Sequence, residues 1–504
     1  MNKFDFSISD FTGGLNTKSP LTLLKLNEAS DLQNINLLPS GGFEKRHGNT
    51  TFNSSAMASG SSVHGIGYFR KSDTTDFLMA ISGTKLFKSD ALDGTMDDVT
   101  GALSITTGTD STWTHSVLNN LSIFVGGPAA SPDAPIKFSG TGNGDVLGGS
   151  PPAGNFGFTA NSRMFIGNTS ANPSRIHWSA LGNSEDWSGA GSGNQDVGKN
   201  DGDTLVAGTV IGLDNALLFK QNSIYNLGIK AAPFPLFGPI FRDVGAVSKR
   251  GIVNVDGMVY FITPEPRMKA TDGTRIIDFP DTIDNVFDSL NGSRLKHIHG
   301  IYYKRLNQIM WFCSSAGSST HDLCLIWDLK RKCWLRHVTG YKMNVSCIAQ
   351  DRILYTGATD GKIYRQDVSN IYSDASESSG IIRAFWRSGW NYFGYSNRRK
   401  TFLTADACFN QLTPGSFRLT YGFDFAKDMF TETINTSSSG AMWNQFLWNQ
   451  AEWSSADLTP RFKTMTCRGS GKTMQFNIEN NNLNEAMFFN GIYGTAQINE
   501  SVFN

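Results

Sequence analysis

Arg468-Gly469-Ser470-Gly471-Lys472-Thr473 ends as a phosphate-binding loop does, with a lysine for phosphate oxygens and a hydroxyl for magnesium. The full loop needs a glycine five residues before Gly471, where Thr466 stands, and it must join a strand to a helix. The residues that follow, Met474-Gln475-Phe476-Asn477-Ile478, alternate as a strand does, so nucleotide binding is not expected. His297-Ile298-His299 could place two imidazoles on one face of a strand, but a metal site needs a third ligand and none stands nearby. Asp201-Gly202-Asp203 matches a fragment of a calcium loop without the remainder and reads as a turn. Neither G-x-S-x-G nor H-E-x-x-H occurs. No catalytic residue, cofactor site or metal site is assigned, and the chain is not expected to be an enzyme.

Charge offers little more. Lys plus Arg equals Asp plus Glu at 44 each, so no bulk positive charge exists to hold a polyanion by counterion release. The basic clusters Lys249-Arg250, Lys330-Arg331-Lys332 and Arg398-Arg399-Lys400 read as solvated turns. A symmetric ring of subunits would multiply any one of them and present it to passing DNA. Trp386, Trp390, Trp443 and Trp448 could stack on sugars, although core packing is the commoner use of tryptophan.

The elements that must position these residues are mostly strands. Among 504 residues, 52 are Gly and 35 are Phe, without long Ala/Leu/Glu/Lys runs, which favours strands and turns. The length calls for two or three domains, or one large repeat domain with additions. Six cysteines (Cys313, Cys324, Cys333, Cys347, Cys408 and Cys467) form no C-x-x-C pair and read as reduced, packed thiols. The start, MNKFDFSISDF, lacks a signal peptide's apolar stretch, and no run of about eighteen apolar residues predicts a membrane helix.

An aliphatic–aromatic strand start recurs along the chain. It appears at Leu86-Phe87, Ile136-Lys137-Phe138, Ile176-His177-Trp178, Ile224-Tyr225, Ile276-Ile277, Leu325-Ile326-Trp327 and Ile363-Tyr364, at steps of 38 to 52 residues. A period of about 40–50 residues suits a four-stranded propeller blade. The fold expected is mainly β: a β-propeller-like domain of about six or seven blades over 61–372, with a β-sandwich array as the alternative. An irregular amino-terminal arm over 1–60, a polar linker at 373–380 and an antiparallel β domain over 381–504 complete it. Asp360-Gly361 predicts a hairpin. Ile283, Val286, Phe287 and Leu290 share one face of a helix over 280–290, between Pro280 and Gly292. A short helical turn is expected over Asn27–Asn34, with Asn27 as its cap. The tryptophans Trp443, Trp448 and Trp453 suit a loop or ribbon whose indoles pack on a neighbour, with ordinary core packing as the alternative.

The amino-terminal arm carries a resemblance. Asp10-Phe11-Thr12-Gly13-Gly14-Leu15-Asn16, then Ser19-Pro20, Asn27–Asn34 and Gly41-Gly42-Phe43-Glu44-Lys45-Arg46-His47-Gly48, resembles the opening of the tail nozzle proteins of short-tailed phages, also called tail tubular protein B. Similar strings lie at Arg163–Trp187 and at Gly469–Phe476 with Asn484-Glu485-Ala486. The matches cover about a fifth of the chain. The resemblance implies a structural virion protein, assembled in the host cytoplasm. It implies a homohexameric ring around a channel that retains packaged DNA and conducts it during ejection. Its partners would be copies of itself, a tail adaptor on the portal side, fibres, spikes or a needle, and transient duplex DNA. Under that reading Phe11, Gly13, Gly14, Leu15, Asn16, Lys45 and Arg46 are the expected assembly contacts, and loss of 1–48 should weaken the ring more than the subunit. The DNA-facing residues are not identified. A head-closure protein at the portal is one alternative. A glycan-binding or glycosidase propeller is the other, and it needs converging carboxylates or arginines. Sialidase-like propellers carry an S-x-D-x-G-x-T-W box, which Asp110 and Trp113 are too close to form.

Overall fold

The structure, a computed structural model, describes residues 2–499 except 109, 339–342, 411–414, 427–428 and 437–459. Trp443, Trp448 and Trp453 lie outside the described residues. Seven four-stranded antiparallel sheets follow one another from residue 63 to residue 365. They are the blades of a β-propeller: 63–98, 112–146, 154–196, 205–242, 253–278, 299–338 and 343–365. The first strands of successive blades lie side by side, and that of the seventh blade, Met343–Ile348, lies beside that of the first, Val63–Arg70. The ring closes because the seventh blade borrows its outermost strand, Thr50–Thr51, from the amino-terminal side.

Burial explains the texture of the sequence. Each blade is covered on both faces by its neighbours, so its middle strands are continuous apolar runs rather than alternating ones. Gln308–Cys313 and Leu323–Asp328 in the sixth blade are buried at every position. The recurring aliphatic–aromatic pair marks the third strand in six of the seven blades, where Leu86, Ile136, Ile176, Ile224, Leu325 and Ile363 are all buried. In the fifth blade Ile276-Ile277 falls on the fourth strand instead, because the third, Met268–Thr271, has no aromatic residue. Asp360-Gly361 turns the hairpin between Leu354–Ala358 and Ile363–Arg365, with Gly361 at φ +75°. The expected helix is a 3-10 turn, Asp281–Ile283, running into one α-helical turn, Asp284–Asp288, and it buries Ile283, Phe287 and Leu290.

The second unit is a sandwich of two sheets. One orders Pro460–Thr466, Lys400–Asn410, Phe488–Ile498, Phe43–Lys45 and Ile35–Leu37, with Lys3–Ile8 also on Phe488–Ile498 and Ser470–Gly471 on Lys400–Asn410. The other orders Gly14–Leu15, Glu28–Gln33, Ala384–Ser388, Met474–Asn480, Ser416–Phe423 and Phe430–Asn435. Phenylalanine rings join the facing sheets, as in Phe409–Phe417, Phe402–Phe423 and Phe417–Phe489.

Three expectations change here. Residues 1–60 are not an irregular arm: five of their strands are built into the sandwich, and a sixth closes the propeller. Asn27–Asn34 is not a helical turn; Glu28–Gln33 is a strand that buries Ala29 and Leu32 against Ala384–Ser388. The expected linker at 373–380 is a turn held in place, with Asp374 only 2% exposed.

Candidate functional site

The seven residues expected at a subunit interface meet inside one subunit, where the sandwich joins the propeller. Phe11 has no exposure and stands edge-on to Trp386 at 4.8 Å and to Phe43 at 5.0 Å. A Cβ on Gly13 would lie 2.7 Å from the carbonyl oxygen of Asn27. Gly14, at φ +68°, lies against Cys333 and Trp334 of the sixth blade, which no larger residue could approach so closely. Leu15 is buried, and the Asn16 side-chain amide donates to Ser19 Oγ and Glu28 Oε2, each at 3.1 Å. Six of the seven are buried within this one subunit and Gly13 is half-buried, and the contacts described here are intramolecular.

Arg46 is the centre of the junction. Its guanidinium forms a two-pronged ion pair with Asp374, and both side chains are at most 6% exposed. Its Nε donates to Asn34 Oδ1 at 3.0 Å. Asn34 in turn receives the Val338 amide and donates its own amide to Arg336, both on the outer strand of the sixth blade. One arginine therefore couples the sandwich, the propeller's outer edge and the turn after the seventh blade. Beside it, Lys45 Nζ donates to Asn480 Oδ1 at 2.7 Å and to the Asn482 carbonyl at 3.1 Å. Burial, then repulsion from Arg46, pushes its pKa down to about 7. Burial also lifts the Glu44 carboxyl to about 7. Asp367 accepts from the Tyr303 hydroxyl at 2.9 Å and contacts His47 Nδ1 at 3.0 Å.

The other sequence candidates resolve separately. In the loop before Met474, Asp424 Oδ1 accepts the amides of Lys472 (2.7 Å) and Thr473 (2.9 Å), so a carboxylate already occupies the place a phosphate would take. A strand follows instead of a helix. Asp201 pairs with Lys220, whose side chain is fully buried, and Asp203 accepts backbone amides of Gln221 and Asn222, so this segment is a turn. His297 ends a 3-10 helix and His299 starts a strand, and no group of metal ligands exists among the described residues. Trp386 and Trp390 are core residues, not exposed sugar platforms. All six cysteines are free thiols, five of them buried.

Sequence reasoning missed the propeller axis. Lys249-Arg250, expected as a solvated turn, is tucked inward. Lys249 Nζ donates to the carbonyls of Thr112 and Asn155, and Arg250 reaches the carbonyls of His64 and His297. Arg250 lines two cavities. One, of about 530 Å³, surrounds the beginnings of the first strands. The other, of about 430 Å³, runs along them. Five histidines gather on these walls: His64, His115, His297, His299 and His321. The signal was available only as Lys249-Arg250 just before a strand; the other lining residues are spread over more than 200 positions.

Comparison with known proteins returns no matching family model and no matching curated protein. Solved structures that resemble the chain are propellers or designed proteins at low identity. YCF48 bound to the D1 peptide is 10% identical with a TM-score of 0.39, covering 64% of this chain and 98% of that one. The β-propeller domain of Swd1 from Myceliophteria thermophila is 9% identical with a TM-score of 0.40, covering 63% and 99%. The designed protein Ika8 is 13% identical with a TM-score of 0.37, covering 62% and 98%.

Proposed function

We propose that this chain is a structural tail protein of a short-tailed bacteriophage, forming the tail nozzle that retains and then conducts genomic DNA. The observation that carries the reading is where its motif residues lie. The segments that resemble nozzle proteins, around Phe11–Asn16 and Phe43–Gly48, are the ones that weld the sandwich to the propeller. In this reading the shared residues specify a rigid two-part subunit, and its exposed surfaces are left to vary with the partner. The duplex would pass through a ring of subunits rather than along a propeller axis, whose cavities are of small-molecule size. The ring would contact a tail adaptor on one side and fibres, spikes or a needle on the other.

The test is mass in solution by light scattering, with negative-stain microscopy of the same sample. The expected result is a ring of six 55.1 kDa chains with a central hole. A protein that stays monomeric alone and with isolated tail and portal assemblies would overturn the reading. Binding at the portal alone would favour head closure.

A further inference from the structure

Three lysines are buried among the described residues: Lys45, Lys220 and Lys400. Lys220 pairs with Asp201, and Lys400 donates to the carbonyls of Tyr395 and Arg398. Lys45 differs from both. Its side-chain partner is an amide rather than a carboxylate, with Nζ at 2.7 Å from Asn480 Oδ1. Lys45 has no exposure and Asn480 has 1%, so this contact is shut off from water. The two residues belong to facing sheets of the sandwich, Phe43–Lys45 in one and Met474–Asn480 in the other.

The groups around the pair are arranged for acyl transfer. The Asn480 oxygen faces the amine, while its nitrogen donates to Glu485 Oε2 at 3.3 Å and to the Ser416 carbonyl at 2.6 Å. Glu485 Oε2 is itself fixed by the Ser416 amide at 2.9 Å and by Asn482 Nδ2 at 2.8 Å. Asn480 Cγ lies one carbonyl bond beyond Oδ1, so the amine stands no more than about 4 Å from it. Rotation of the amide about its Cβ–Cγ bond turns that contact into an attack geometry. Burial, then repulsion from Arg46, leaves much of the amine neutral and nucleophilic near pH 7. Nucleophile, electrophile and a carboxylate for proton transfer thus meet in a dry site.

We infer that Lys45 and Asn480 join in an intramolecular isopeptide bond, with Glu485 as the proton carrier. The neutral amine adds to Cγ: the Nζ–Cγ bond forms, and the carbonyl π pair moves onto Oδ1. Glu485 takes one proton from Nζ and delivers it to Nδ2. The carbonyl then re-forms, the Cγ–Nδ2 bond breaks and ammonia leaves. The carboxylate ends as it began, and no second reactant enters. The bond ties the two sheets together across 435 positions, with all seven blades inside the closed loop. A cross-link of that kind restricts the unfolded chain as a disulfide does. Only chains that have not reacted keep a Lys45 amine that titrates. The inference stands on the junction alone and does not depend on the tail assignment.

Mass spectrometry of the denatured full chain tests it, followed by tryptic digestion and peptide sequencing. The chain should be lighter than its sequence by one ammonia. The digest should hold a branched peptide joining the segments around Lys45 and Asn480, with no cleavage after Lys45. Lys45→Met should keep its full mass. Glu485→Gln, close in size to the parent, should slow bond formation by about a hundredfold or more, so that fresh protein is unlinked. Circular dichroism checks that both variants fold. A folded parent of full mass without a branched peptide overturns the inference. So does an ammonia loss that persists in Lys45→Met, which would mark a cyclic imide instead. A Glu485→Gln chain that links as fast as the parent overturns the role of the carboxylate.

Discussion

Arg46 and Asp374 form a buried two-pronged ion pair across 328 residues of chain, joining the strand that enters the propeller to the turn that leaves it. Between them lie all seven blades. The pair acts as a clasp, and Asn49 reinforces it by donating to Asp374 Oδ1 at 3.0 Å. Removing one partner strands a buried charge, which costs about 3–5 kcal/mol. Arg46→Met and Asp374→Leu should each lower stability by that order in urea unfolding. The double substitution Arg46→Met with Asp374→Leu should lose less than the two single losses combined, because no charge is left unpaired. Additive losses would show that the pair is not coupled.

Gly48 passes the same turn without a side chain, and a Cβ there would lie 1.9 Å from the carbonyl oxygen of Ser373. Backbone cannot yield as a flexible side chain would. Gly48→Ala should therefore destabilise by about 1–3 kcal/mol or more, as overpacking does. A thermal midpoint equal to that of the unmodified chain would refute the close approach.

Glu44 and Lys45 make the junction respond to pH in opposite senses. Folded Glu44 keeps its proton to about pH 7, while the unfolded chain releases it near 4.5. Its contribution to stability therefore falls as pH rises through that window. Folded Lys45 loses its proton near 7, while the unfolded chain holds it to about 10.5, so its contribution rises across that range. Relative to the unmodified chain, Glu44→Gln should gain stability from pH 4.5 to 7. Lys45→Met should lose relative stability from pH 7 to 10. Comparing each variant with the parent cancels buried histidines such as His297, which burial holds near 4. Flat differences across both windows would show that neither group is buried in charged form.

Truncation before residue 49 should cost the fold, against the expectation that it would weaken the ring more than the subunit. Lys3–Ile8 pairs along Phe488–Ile498, and Phe11 and Phe43 fill the sandwich core. Loss of a side chain such as Phe11 alone is worth about 3–5 kcal/mol. The shortened chain should lose the cooperative unfolding transition of the sandwich by calorimetry. A truncated protein with an unchanged transition would restore the arm reading.

The propeller was legible because a blade is a local object. Its strands are consecutive and its hairpins short, so covering both faces writes continuous apolar runs into contiguous sequence. The seven such starts left the count at about six or seven blades, which the sheets fix at seven, and the one displaced marker, Ile276-Ile277, fell where a third strand lacks an aromatic.

The amino-terminal strands were not legible, since most are short and the sheets that take them in come from the other end of the chain. Gly14–Leu15 has two residues, and Lys3–Ile8 finds its register on a strand nearly 490 positions away. No local periodicity reports such pairing. The resemblance singled out Phe11, Gly14 and Arg46, but only tertiary structure decided that they face inward. The same holds at the axis. Lys249-Arg250 reads as a solvated turn until blades from distant parts of the chain close around it and hold both side chains with carbonyl oxygens of Thr112, Asn155, His64 and His297.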